Sequence, residues 1–429
     1  MNSNRRINTK QMPEGVWDGL GVEIAHKIEL LSAFTDEKGK MTRLYLGPAH
    51  RRSVDQVLAW MREAGLEAHL DAAGNVIGRR PGNGEIQRSL MLGSHIDTVR
   101  NGGIYDGTLG VLSAIAVASR LHRAGVQLPF DLEVVAFGDE EGVRYPTTLS
   151  GSRALAGKFD AKVLDEVDAD GISRREALLA FGCDPDKIGE LARDPTKVLG
   201  YLEVHIEQGP VLEANDLAVG IVTGISGANR GRVRIEGETG HAGTVPMALR
   251  KDALATAAEM ILAVEREARA RAEHDAGIVA TVGRIEVPNA AVNTVPGVVE
   301  FTIDLRAPTD KTRSETRERI ALALETIAEV RGLRADVGFS YEAPAAASDP
   351  HLIEQLAAAL ENTGQPAFKL PSGAGHDAMS FSGHIPAAML FVRSSAGVSH
   401  RPEEYTSVED IDVAGRVLLA FVAGLAGYE

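Results

Sequence analysis

The sequence predicts an α/β fold interrupted by an inserted α+β unit. Three observations carry that prediction. Short apolar runs at 90–92, 131–137 and 201–206 alternate with helical stretches, the spacing of strand–helix–strand layers on a mostly parallel sheet. From residue 218 the order changes to β–β–α–β–β–α–β, a series able to form a compact unit of its own. Beyond residue 350 the helix–strand alternation returns. The 429 residues therefore divide into a first unit in two parts, 1–216 and 333–429, and an inserted unit, 217–332.

Taken in order, residues 16–34 place Leu20, Ile24, Ile28 and Leu31 on one helical face. A second helix, 53–64, stops at Gly65. Residues 67–76 alternate and turn at Ala73-Gly74-Asn75, a hairpin signal. Residues 90–92 form a buried strand, 109–124 a helix ended by Gly125, and 131–137 a strand. The stretch 158–195 is polar, with one helical pattern at 173–181; it reads as an insertion without chemical signal. A short strand follows at 201–206. In the inserted unit, 218–223, 230–236, 277–287, 298–306 and 335–341 are strands, and 248–272 and 312–330 helices. A helix at 352–360, a strand at 388–392 and a helix at 408–426 complete the chain.

Composition narrows the function. A net charge of -15 argues against a nucleic-acid or anionic-membrane partner. The single cysteine, Cys183, excludes an intramolecular disulfide and a Cys-rich zinc site, so any metal must be held by His, Asp and Glu. The polar stretch Met1 to Met12 has no apolar core of a secretory signal, and no apolar run approaches the roughly 18 residues of a spanning helix. A soluble cytoplasmic protein is the expectation.

The chemistry gathers around Gly93-Ser94-His95-Ile96-Asp97-Thr98-Val99 and Gly103-Ile104-Tyr105-Asp106-Gly107. In extended chain, residues i and i+2 share a face. Asp97 can then accept the second N–H of the His95 ring, as partners of metal-bound histidines do. A Gly-rich turn brings Asp106 back toward the same point, and its two oxygens can bridge two ions. Glu140-Glu141 follows the strand 131–137, so one carboxylate can bind metal while the other serves as general base. His95 and Glu140 both fall at carboxyl ends of strands, where open α/β sheets bind ligands. His205, near the end of its strand, and His400, past a later one, complete a set of three imidazoles and two carboxylates: His95, Asp106, Glu141, His205 and His400. Such a set suits zinc, and also manganese, cobalt or nickel, with two ions about 3.5 Å apart across Asp106. Taken singly, each residue reads first as a strand end, an acidic turn or a loop histidine; the set together points to metal. His241 likewise reads as a loop histidine, and Arg306 either clamps a substrate carboxylate or pairs with Asp304.

The strings around these residues resemble the hydantoinase/carbamoylase amidase family of the dinuclear-metal aminopeptidase-like superfamily. They are Gly93–Val99, Gly103–Gly107, Asp139-Glu140-Glu141-Gly142-Val143-Arg144, His205-Ile206-Glu207-Gln208-Gly209-Pro210, Gly240-His241-Ala242-Gly243-Thr244 and Ser399-His400. The resemblance implies a catalytic α/β domain with an inserted, ferredoxin-like lid and dimerisation domain. It implies two divalent ions per subunit, one on His95, Asp106 and His205, the other on Asp106, Glu141 and His400. Glu140 would be the general base. His241, from the partner subunit of a homodimer, would polarise the scissile carbonyl. Gln208, Asn293 and Arg306 would bind a small ureido carboxylate, an N-carbamoyl-L-amino acid or allantoate. Gly373-Ala374-Gly375-His376-Asp377-Ala378 matches another family string without an assigned role, and Tyr145 stands where many members carry Phe. Two other readings stand beside this one: a metallo-aminopeptidase or dipeptidase of the same superfamily, and a non-catalytic binding protein on the same scaffold.

Overall fold

The computed structural model describes residues 12–13, 15–275 and 277–428. The polar stretch up to residue 11, read above for a targeting signal, lies outside the described residues. In chain order the main elements are α1 (Leu20–Ser32), α2 (Pro48–Glu63), β1 (Glu67–Leu70), β2 (Val76–Arg80), β3 (Ser89–His95), α3 (Thr108–Arg123), β4 (Asp131–Phe137), β5 (Val198–Ile206), β6 (Val219–Ile225), β7 (Gly227–Glu236), α4 (Ala253–Ala272), β8 (Val298–Ala307), α5 (Asp310–Arg331), β9 (Arg334–Ala343), α6 (Pro350–Asn362), β10 (Ala387–Val392) and α7 (Val408–Leu425).

Contacts divide the chain into two compact units: Met1–Thr223, Ser348–Leu370 and His376–Glu429 in one, Gly224–Ala347 and Pro371–Gly375 in the other. The first is built on a sheet ordered β1-β2-β4-β3-β5-β10-β6. Its four central strands, β4, β3, β5 and β10, are parallel, and the outer ones are antiparallel. β3 is buried at every residue and β4 at nearly every one, because both faces of the sheet are covered. On one face α3, itself almost wholly buried, packs against β3, α1 and α7. On the other, Phe137, Tyr201 and Phe381 form an aromatic cluster.

The second unit has the order β–α–β–β–α–β that defines a ferredoxin-like arrangement. β7 lies between β8 and β9, all antiparallel. Along β8 buried and half-buried residues alternate, the signature of an antiparallel sheet covered on one side only. Val233, Phe301 and Ile303 pack there against Met260 of α4 and Ile320 and Leu324 of α5.

Several local expectations change, among them the helix read at 53–64, which begins at Pro48. The strand read at 277–287 is two short ones, Val279–Thr281 and Ile285–Glu286, both against β8. The helix read from 248 begins at Ala253, because the Asp252 carboxylate caps the amides of Leu254 and Ala255 at 3.0 Å. The inserted unit does not run from 217 to 332: it begins at Gly224, β9 pairs along β7 and extends it to Ala347, and Pro371–Gly375 joins it.

Candidate active site

Loops leaving the carboxyl ends of the central parallel strands meet at one carboxylate, Asp106. β3 ends on His95, β4 leads into Glu140-Glu141, His205 is the penultimate residue of β5, and the chain beyond β10 carries His400. Asp106 sits in the turn that starts α3. Gly107 there has φ 65°, and a Cβ on it would lie 2.4 Å from His95 ring atoms, so only glycine lets the turn approach the imidazole this closely.

His95 Nδ1 lies 3.0 Å from the Asp97 backbone oxygen, and His205 Nδ1 lies 2.9 Å from that of Ile206. A carbonyl oxygen only accepts, so each Nδ1 carries its proton and each Nε2 faces inward. The two Nε2 atoms are 3.4 Å apart, and 3.4 and 3.2 Å from Asp106 Oδ1. Asp106 Oδ2 turns the other way, 3.5 Å from His400 Nε2, which is 3.6 Å from Glu141 Oε2. Two triads result, His95–Asp106–His205 and Asp106–Glu141–His400, each with its ligand-type atoms within 4.8 Å. Asp106 gives one oxygen to each. Glu140 Oε2 stands beside them, 3.9 Å from His95 Nε2. His400 is half-exposed and Glu140 partly so; that side of the cluster reaches solvent.

The arrangement fits a cation. Protonated, the two inward Nε2 atoms would set like charges 3.4 Å apart; unprotonated, they leave buried acceptors aimed at a carboxylate. A divalent ion resolves both, and His with Asp and Glu suits a borderline or hard one. The same distance limit is met by His95–Glu140–Glu141 and, deeper, by Glu203–His205–His376. Glu203 is already engaged, accepting from Ser94 Oγ at 2.8 Å and Ala378 N at 3.0 Å.

Electrostatics follows from the packing. Burial pushes His95 down, but Asp106, Glu140 and Asp97 outweigh it and hold the ring well above its ordinary value. Burial works against Asp106, yet the facing His205 and His95 hold it well below the usual carboxylate range. Burial lifts Glu140 well above that range, with Glu141 adding to the lift and His95 opposing it. A carboxyl raised in this way suits a group that must both take and return a proton.

Asp97 does a different job from the one its spacing suggests. Its carboxylate is 3.6 Å from His95 Nδ1, and the backbone oxygen takes the closer place. The carboxylate instead accepts from the backbone N–H groups of Glu140 and Glu141, each at 3.1 Å. It orients the glutamate pair. Gln208, expected at the substrate, donates from Nε2 to Asp106 Oδ2 at 2.7 Å, while its buried Oε1 has no hydrogen-bond partner among the described residues. Asp139, Gln208 and His400 all have left-handed φ, at 68°, 59° and 59°. Such non-glycine outliers cost about 1–3 kcal/mol each and gather at functional sites.

Glu404 plays a part that sequence reasoning missed. Its Oε1 accepts from the backbone N–H groups of Tyr105 and Asp106 at 3.0 Å, and its Oε2 from Ser399 Oγ at 3.0 Å. It fixes the Asp106 turn, and burial lifts its carboxyl to about 7. Its partners at the Asp106 turn are backbone amides, which leave no trace in a sequence.

The other predicted residues belong to the second unit. His241 is exposed, in a two-residue strand with Thr294 and Val295, and Asn293 O accepts from Ala242 N at 2.8 Å. Arg306 donates from Nε to Asp304 Oδ1 at 2.8 Å, from Nη2 to Asp304 Oδ2 at 3.2 Å, and from Nη1 to Gly373 O at 2.7 Å. The pairing with Asp304 is therefore the one present.

Residues 91–424, which include every residue of the two triads, match the model of Peptidase family M20/M25/M40. The chain belongs to this family. Its members are metal-dependent hydrolases, and the clusters around Asp106 are able to bind metal. An N-carbamoyl-L-amino acid amidohydrolase of Geobacillus stearothermophilus is 42% identical over 401 residues, covering 93% of this chain and 97% of that protein. An allantoate deiminase of Arabidopsis thaliana is 38% identical, over 93% of this chain and 81% of its own. Among solved structures, a hydantoinase/carbamoylase family amidase from Burkholderia multivorans superposes with a TM-score of 0.89 at 31% identity, covering 95% and 98% of the two chains. The family resemblance read from the motifs is thus the one found. Among the described residues, no helix is long and apolar enough to cross a membrane.

Proposed function

We propose that this protein is a metal-dependent amidohydrolase cleaving the ureido C–N bond of a small carboxylate, an N-carbamoyl-L-amino acid or allantoate. The observation that carries the reading is Asp106, shared between two ligand triads with the partly exposed Glu140 beside them. The names of the relatives described above support the substrate class.

Two divalent ions are assigned per subunit, zinc or manganese, with cobalt or nickel as alternatives. One goes to His95, Asp106 and His205, the other to Asp106, Glu141 and His400. When bound, the ions supply positive charge that polarises a carbonyl and makes water easier to deprotonate. Glu140 takes a proton from water as the water oxygen bonds to the ureido carbon. It then returns that proton to the leaving nitrogen as the first C–N bond breaks; the carbamic acid left behind loses carbon dioxide, which breaks the second C–N bond and frees the other nitrogen as an amine. The products are ammonia, carbon dioxide and the amine-bearing remainder.

The inserted unit is assigned the roles of lid and dimer contact, with His241 reaching the site from the second copy of the chain. Gly243 N donates to His241 Nδ1 at 3.1 Å, so the neutral ring carries its proton on Nε2. That tautomer can donate to an oxyanion at the scissile carbonyl. Asn293 and Arg306 are assigned to the substrate, Arg306 sharing its guanidinium between Asp304 and the substrate carboxylate.

The test is ammonia release from allantoate, N-carbamoyl-L-amino acids and 3-ureidopropionate, with zinc, manganese or no metal added. Metal-dependent release from at least one compound is expected. Metal-loaded protein that releases ammonia from none of them overturns the proposal.

A further inference from the structure

One fully buried cation, Arg174, takes no part in the chemistry described above. It comes from the polar segment 158–195, for which the sequence offered no task. Its position is set locally. Ser173 and Glu176 form a capping box that starts the helix Arg174–Phe181 at this residue, and Gly182, at φ 90°, ends it. Upstream, Asp168 Oδ1 accepts from Asp170 N and Ile172 N at 3.0 and 2.9 Å, folding the chain so that Arg174 N donates to Glu166 O at 2.9 Å.

The guanidinium then lies under the loop that carries the glutamate pair. Nη1 meets Asp139 Oδ2 and Ser150 Oγ, and Nη2 donates to Thr147 O at 2.9 Å and Glu166 Oε2 at 3.0 Å. The Tyr145 ring lies 4.6 Å from Cζ. Two more links join the same segments: Arg144 Nε to Asp168 Oδ2 at 3.0 Å, and Thr147 N to Glu166 Oε2 at 3.2 Å. Asp139 immediately precedes Glu140 and holds the strained φ of 68°, with its own oxygen accepting from Leu149 N at 2.6 Å.

Stability alone gives little reason to bury a guanidinium here, since apolar replacements of buried ion pairs are often as stable. A rigid planar fork reaching several acceptors on one loop gives geometry instead. We propose that Arg174 is a positioning residue: by gripping Asp139 it sets the turn from which Glu140 and Glu141 leave β4, and the segment 158–195 is the brace of that turn. This rests on Glu140 being the general base.

The experiment compares metal-loaded wild type, Arg174→Met, Arg174→Lys and Asp139→Asn, each alone and with Glu140→Gln. Misplacing a reacting group by about 1 Å costs on the order of a hundredfold. Arg174→Met is therefore expected to lower kcat about a hundredfold with KM changed less than about threefold, and Lys to restore part of it. In the Glu140→Gln background the same change should add less than about threefold, because the group it positions is gone. The amides of Glu140 and Glu141 should exchange hydrogen faster, with those of β3 unchanged. A kcat within threefold of wild type overturns the proposal, as do losses that multiply in the Glu140→Gln background. If Arg174→Met fails to fold, Asp139→Asn carries the same comparison. If wild type itself hydrolyses no ureido compound, the activity reading fails, and amide exchange and zinc affinity still decide the brace: both unchanged in every variant overturns it.

Discussion

The substitution Asp97→Asn separates two accounts of that carboxylate. In one it orients the His95 ring; in the other, which the distances favour, it holds the backbone of Glu140 and Glu141 through two bonds of 3.1 Å. The carboxamide that replaces it keeps one acceptor and turns the other into a donor facing a backbone N–H. One charge-assisted bond is lost and one buried N–H is left without a partner, about 1.5–3 kcal/mol. At 1.4 kcal/mol per factor of ten that is roughly 10- to 150-fold, divided between stability and the alignment of the pair. The His95 Nδ1–H is untouched, because its acceptor is the backbone oxygen of residue 97. On the proposed two-ion assignment, chelator competition should therefore find the ion on His95, Asp106 and His205 held as in the parent and the one assigned to Glu141 weakened. Turnover of the metal-saturated variant should fall at least about tenfold. If both ion affinities and kcat stay within about twofold of the parent, the assignment of Asp97 to the glutamate turn is wrong.

Glu140→Gln keeps the shape of the site and removes its proton acceptor, so turnover should fall at least about a hundredfold with metal content unchanged; near-normal turnover would remove Glu140 from the mechanism. Gly107→Ala should release metal and lower Tm, since a Cβ there meets the His95 ring at 2.4 Å in a left-handed turn; metal analysis and calorimetry check it, and an alanine variant with full metal content would contradict the tight approach. His50, stacked on Phe181, is fully buried with Nδ1 accepting from Leu46 N at 3.0 Å, and burial lowers its pKa from 6.5 to about 3. Its unfolded form binds a proton that the folded form refuses, so stability present above pH 6.5 is lost as pH falls toward 3, by on the order of 5 kcal/mol at most. Denaturant unfolding from pH 7 to 4 should show this slope flattened in His50→Gln; identical slopes would remove His50 as the source.

Much of this site could be read from the chain because its candidate ligands lie where strands stop. The apolar run before His95 and the one before Glu140 mark central parallel strands. Strand ends are where such sheets gather polar groups. What could not be read are bonds between side chains and distant backbone. Glu404 reaches the amide of a residue 298 positions earlier. Arg174 looks like any charged residue in a polar insertion until its helix cap fixes where it points. Spacing placed Asp97 behind the imidazole correctly, but could not tell which of its oxygens, carboxylate or backbone, the ring would choose. Helix starts were misjudged at Ala253, where the Asp252 cap decides, and at Pro48, which gives the helix the preset φ of a proline in its first turn.

The two triads draw on residues from His95 to His400, with Glu404 bracing the turn that Asp106 shares between them. A chain emerging from a ribosome would therefore acquire His95, Asp106 and His205 long before the second half of the pocket exists. Cation capture at full strength has to wait until nearly the whole polypeptide is out. A fragment truncated before residue 400 would lack His400, the Glu404 carboxylate that fixes the Asp106 turn, and the buried helix α7.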